Sequence, residues 1–77
     1  MLLRLRELRL RYPRGRSTIY QDIARKVMVP PISLGQRCSA WPEHEVDAIV
    51  TARAAGATDN EVRELVRKLI DARRAAA

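Results

Sequence analysis

Proline placement limits this chain more than any other feature. All four prolines fall within the first 42 residues, at Pro13, Pro30, Pro31 and Pro42. Proline has no amide hydrogen and its ring clashes with the preceding helical turn, so no helix runs through it undisturbed. The first half is therefore confined to short elements joined by turns, whereas residues 43–77 are free to form longer helices.

Within those limits the apolar spacing assigns the elements. Leu3-Arg4-Leu5-Arg6 alternates as a short strand does, and Leu5, Leu8 and Tyr12 recur at helical spacing, giving a strand near residues 2–4 and a helix over about 5–11. Pro13-Arg14-Gly15-Arg16 is a turn. A second helix starts with Ser17 or Thr18 as N-cap, and Thr18-x-x-Gln21 matches a capping box. Ile19, Ile23 and Val27 form its inner face, flanked by Tyr20 and Ala24. Thr18, Gln21, Asp22 and Arg25 form its outer face, and Pro30-Pro31 ends it. Ile32-Ser33-Leu34 and Ser39-Ala40-Trp41, around Gly35-Gln36-Arg37-Cys38, predict a hairpin. Pro42 suits the first position of a third helix, with Glu43, Glu45 and Asp47 at its positive end and Val46, Ile49 and Val50 on its apolar face. Gly56 closes it. A last helix begins at Thr58, with Thr58-x-x-Glu61 as capping box, a stripe of Val62, Leu65, Val66, Leu69 and Ile70, and a Glu64–Lys68 pair.

The expected class is mainly α with a small β-hairpin wing: a winged helix-turn-helix over 1–56, plus a C-terminal amphipathic helix over 57–77. A chain of 77 residues buries only about 60% of its unfolded surface. A deep catalytic cleft is hard to build from so little, and no enzyme is expected. Ser17 has no histidine or lysine arranged as a base. Cys38, Glu43, His44 and Glu45 lack zinc-ligand spacing, so neither metal nor cofactor is expected. The single Cys38 fits a reducing compartment. The opening Met1-Leu2-Leu3-Arg4-Leu5-Arg6 is too short and too basic for a signal peptide, and no run is long enough to span a membrane; a cytoplasmic, nucleoid-associated protein is expected.

Charge supplies the functional direction. Residues 1–37 carry nine bases (Arg4, Arg6, Arg9, Arg11, Arg14, Arg16, Arg25, Lys26 and Arg37) against Glu7 and Asp22. Residues 38–77 carry six bases against seven acids, so the halves stand at +7 and −1. A basic half joined to a near-neutral half suits one face for a polyanion and another for packing or self-association.

Arg16-Ser17-Thr18-Ile19-Tyr20, then Pro31-Ile32-Ser33-Leu34-Gly35-Gln36-Arg37, then Ala40-Trp41-Pro42-Glu43-His44-Glu45-Val46-Asp47 follow one another in the order seen in the AlpA family, which the chain resembles over about residues 3–55. The chain departs from that family at Lys26, Met28 and Val29, where relatives often have a glycine, an aromatic and a first proline. The resemblance implies a MerR-like winged helix acting as a transcription regulator of a phage or genomic island. It implies either activation of an integrase promoter or architectural help to an integrase in excision, with integrase or RNA polymerase as protein partners.

The residues expected at double-stranded DNA follow from their chemistry. Ser17 and Thr18 lie where helix amides attract a phosphate oxygen. Gln21 suits adenine, and Arg25 suits guanine or a phosphate. Arg14 and Arg16 in the turn and Lys26 near the second helix add backbone contacts, Arg37 at the wing tip touches the backbone or enters the minor groove, and the Tyr20 ring is expected in the core with its hydroxyl free to reach a phosphate. Asp22 is expected to pair with an arginine or accept from a cytosine, and Trp41 to be core. The stripe from Val62 to Ile70 either packs on the core or pairs with a second copy. A protein-interaction adaptor using that stripe is the competing class. Single-stranded RNA is disfavoured because Tyr12, Tyr20 and Trp41 form no platform.

Overall fold

The computed structural model describes residues 1–35 and 38–76. In chain order it contains β1 (Leu2–Leu3), α1 (Leu5–Arg11), α2 (Arg16–Ala24), β2 (Ile32–Gly35), β3 (Cys38–Pro42), α3 (Glu43–Ala54) and α4 (Asp59–Ala76). The chain is mainly helical, with a small antiparallel sheet in the order β1-β3-β2. Leu2 pairs with Pro42 and Leu3 with Trp41, so the first residues of the chain cover the strand that leads into α3. Across the hairpin, Ile32 pairs with Ala40, Ser33 with Ser39 and Gly35 with Cys38, leaving Leu34 at an irregularity in the ladder. Gly35 has φ 132°, a conformation that side-chain-bearing residues rarely adopt.

Both ends of the second helix differ from expectation. The second helix starts at Arg16 with Gly15 as N-cap and no side-chain cap, so Ser17 and Thr18 lie inside its first turn. Its first helical bond runs from the Ile19 amide to the Gly15 carbonyl at 2.9 Å. It also stops at Ala24, well before Pro30. The Val27 amide donates to the Asp22 carbonyl at 3.0 Å and the Lys26 amide to Ile23 at 3.1 Å, with Lys26 left-handed at φ 67°. This is a Schellman ending in which lysine stands where glycine is usual. The reason lies in the next residues. Val27, Met28 and Val29 are all buried, and three successive residues spaced about 100° apart cannot all face inward from one helix. Val27 thus enters the core from the loop, not from the helix face. The Trp41 indole Nε1 donates to the Val29 carbonyl at 3.1 Å and fixes that loop.

Pro42 is the N-cap of α3, one position earlier than expected. In α4 the capping box forms as the sequence predicts: the Thr58 amide donates to Glu61 at 3.0 Å and the Glu61 amide to the Thr58 hydroxyl at 3.2 Å. These bonds hold the Glu61 carboxyl below its ordinary pKa. Glu64, expected to pair with Lys68, instead bonds Arg67. Val62 and Val66 join Leu3, Leu8, Ile19, Trp41, Val46 and Ile49 in one core, with Leu65, Leu69 and Ile70 half-buried against it. Buried Glu45 accepts from Arg73, whose Nη2 also donates to the Pro30 carbonyl at 2.9 Å. The far end of α4 is thereby tied to the entry of the hairpin. Among the described residues, no helix is long and apolar enough to cross a membrane.

Candidate nucleic-acid interface

The outward face of α2 is turned by roughly one residue, about 100° of arc, from the face that the sequence suggests. Arg16, Ser17, Tyr20, Gln21 and Ala24 are exposed. Ile19 and Asp22 are buried, and Thr18 and Ile23 are half-buried. Asp22, expected to face outward, is only 2% exposed. Its carboxylate accepts from the Tyr12 hydroxyl at 2.6 Å and lies 3.4 Å from Arg14 Nε and 3.9 Å from Arg25 Nη1. It meets arginines, as one of its two expected roles requires, but from inside. Burial first, and the bond to Asp22 second, push the Tyr12 phenol up to about 12.

The Tyr20 ring is expected in the core, yet the residue is 42% exposed. The ring meets buried Trp41 edge-on, with centroids 6.5 Å apart and planes at 62°. Trp41 therefore anchors the one aromatic residue on the outward face of α2.

Two adjoining grooves border that face. One, of about 980 Å³, is lined by Arg4, Leu5, Arg6, Glu7, Arg16, Tyr20, Ser39 and Trp41. The other, of about 450 Å³, is lined by Arg6, Arg9, Leu10, Pro13, Arg14 and Gly15. Arg6 is common to both, so five arginines share one surface around the start of α2. Arg4, Arg6, Arg9 and Arg16 take part in none of the ion pairs among the described residues; of the five guanidinium groups only that of Arg14 pairs with a carboxylate, while the Arg4 backbone amide donates to Glu7 at 3.1 Å. Arg11 leaves this surface. It bonds Glu43 at 2.9 Å and Asp47 at 3.1 Å on α3, and those bonds raise its pKa. Leu10, 80% exposed, stands among the cations.

At the other end of α2 the expected contact Arg25 is engaged within the molecule. Arg25 Nη2 donates to Asp59 Oδ2 at 3.2 Å, and the Arg25 carbonyl accepts from Arg63 Nε at 3.0 Å. Arg53 donates to the other oxygen of Asp59 at 2.8 Å. That bond, then the charges of Arg53, Arg25 and Arg63, hold the Asp59 carboxyl below its ordinary pKa. Lys26 is exposed beyond the helix end. Arg37 lies outside the described residues.

Sequence reasoning passed over Arg4, Arg6, Arg9 and Asp59 as site residues. For Arg6 and Arg9 a signal existed: they are three apart on α1 and therefore neighbours on its surface. Asp59 gave none, because its partners lie on α2 and α3. Compared with known protein families, curated proteins and solved structures, the chain matches none of them.

Proposed function

We propose that this protein binds double-stranded DNA as a winged helix-turn-helix, with α2 in the major groove and the β2–β3 hairpin as its wing, and acts as an AlpA-like regulator of integrase expression or excision. One observation carries the reading: five arginines line two grooves that meet at Arg6, beside the exposed polar face of a short helix. In helix-turn-helix proteins the second helix of the pair enters the major groove and the surrounding cations grip the backbone. Gln21 offers an amide that pairs twice with adenine, and Ser17 and the Tyr20 hydroxyl suit phosphate or base edges.

The test is anisotropy of a labelled duplex against salt. Five neutralised phosphates give a log–log slope of about −4.5, so raising salt from about 50 to about 200 mM weakens binding roughly several hundredfold. Arg6→Ala is expected to flatten the slope by about 0.9 with little change in sequence preference. Gln21→Ala is expected to do the reverse, relaxing preference at one base pair by about 1–3 kcal/mol. Binding that ignores salt overturns the proposal.

A further inference from the structure

We infer that Asp59 is an internal competitor for phosphate: it occupies Arg25, so that this arginine at the C-terminal end of α2 adds no cation to the DNA-binding surface. The inference rests on the proposed reading of α2 as the element that meets DNA. Arg25 and Asp59 are about half exposed, so their pair stands at the surface, where a phosphate has access. Asp59 offers one oxygen to Arg25 and the other to Arg53, and Arg63 fixes the Arg25 carbonyl. Both the side chain and the main chain of Arg25 are thus held by the first two turns of α4. The remaining carboxylate near Arg25, Asp22, lies farther off at 3.9 Å and is buried. The arrangement has two consequences. Arg25 is already neutralised when DNA arrives, and the Asp59 charge repels a phosphate that approaches the same spot. Both act on the part of binding that carries no sequence information. Asp59 therefore restrains the general grip of the protein on DNA and leaves base reading at Gln21 untouched.

The experiment measures affinity for a random-sequence labelled duplex across salt, for the wild type, Asp59→Asn, Asp71→Asn, Arg25→Ala and the double variant Arg25→Ala/Asp59→Asn. Asp71→Asn makes the same charge change on the same helix, but the partner of Asp71 is Arg67. Freeing one cation for one phosphate is expected to steepen the slope by about 0.9 and to tighten binding roughly eightfold at about 0.1 M salt. Asp71→Asn is expected to change affinity less than about twofold, because exposed charges beyond a Debye length are screened. In the Arg25→Ala background, Asp59→Asn is expected to leave the slope unchanged. Arg25→Ala alone is expected to keep the slope within about 0.2 of wild type, whereas Arg16→Ala loses about 0.9; this arm stands even if Asp59→Asn folds poorly. Equal effects of Asp59→Asn and Asp71→Asn, or a full loss of slope in Arg25→Ala, overturn the inference while the DNA-binding reading stands. A wild-type chain with no salt-dependent binding overturns both.

Discussion

Asp22 sits on a nine-residue helix among polar neighbours and is nevertheless enclosed by the core. A buried carboxylate is costly unless donors satisfy it, and here Tyr12 does so at 2.6 Å while two arginines approach from the rim. The same contact acts on Tyr12. Folding favours its neutral phenol over the phenolate, so its pKa rises from 10.0 to about 12. The stabilisation is fully present below pH 10, the unfolded value, and is lost as pH climbs through about 12. Tyr12→Phe leaves Asp22 without its nearest donor. It is expected to lower unfolding free energy by about 1–3 kcal/mol near neutral pH, and to remove the part of the alkaline loss that lies between about pH 10 and 12. Denaturant titrations at several pH values check both. An unchanged alkaline fall in the variant would assign it to other groups. Helical spacing gave a faint signal, since Asp22 lies three residues from Ile19 at the flank of the inner face and Gln21 lies nearly opposite; the partner that holds Asp22 there, Tyr12, is ten positions away and was not legible.

Elements whose ends are marked by local chemistry were legible, and those ended by tertiary demand were not. The span of α1 between Leu5 and Arg11, the hairpin strands and the Thr58–Glu61 cap all follow from Pro13, Gly35 and the capping residues, which act over a few positions. The end of α2 follows instead from burying Val27, Met28 and Val29, and the chain turns there at Lys26 without a glycine to announce it. A left-handed residue with a Cβ is strained by about 1–2 kcal/mol, part of which glycine gives back as unfolded-state entropy. Lys26→Gly is therefore expected to stabilise the protein by about 1 kcal/mol, seen as a higher thermal midpoint. A lower midpoint would mean that the lysine side chain contributes more than its backbone costs.

Across the whole molecule, the charge asymmetry was visible in the sequence, but its distribution was not. Of the first eleven residues' arginines, Arg4, Arg6 and Arg9 line the grooves while Arg11 is drawn to α3, a division made by carboxylates more than thirty positions away. The same holds for Glu45, expected only as an acid at the positive end of α3, which proves to be the buried partner of Arg73. That pair, with Val62 and Val66, decides what α4 does. Its stripe was open to two uses, and the centre of it is spent on the chain's own core. Leu65, Leu69 and Ile70, half-buried at its margin, leave too narrow a strip for the large apolar interface of an obligate dimer. Light scattering at micromolar concentration is therefore expected to give the mass of one chain. Leu69→Glu is expected to leave that mass unchanged and to lower stability by about 1–3 kcal/mol, because the carboxylate replaces an apolar side chain packed against the core. A parent of twice the mass, halved by Leu65→Glu or Leu69→Glu without loss of stability, would instead assign the stripe to a second copy.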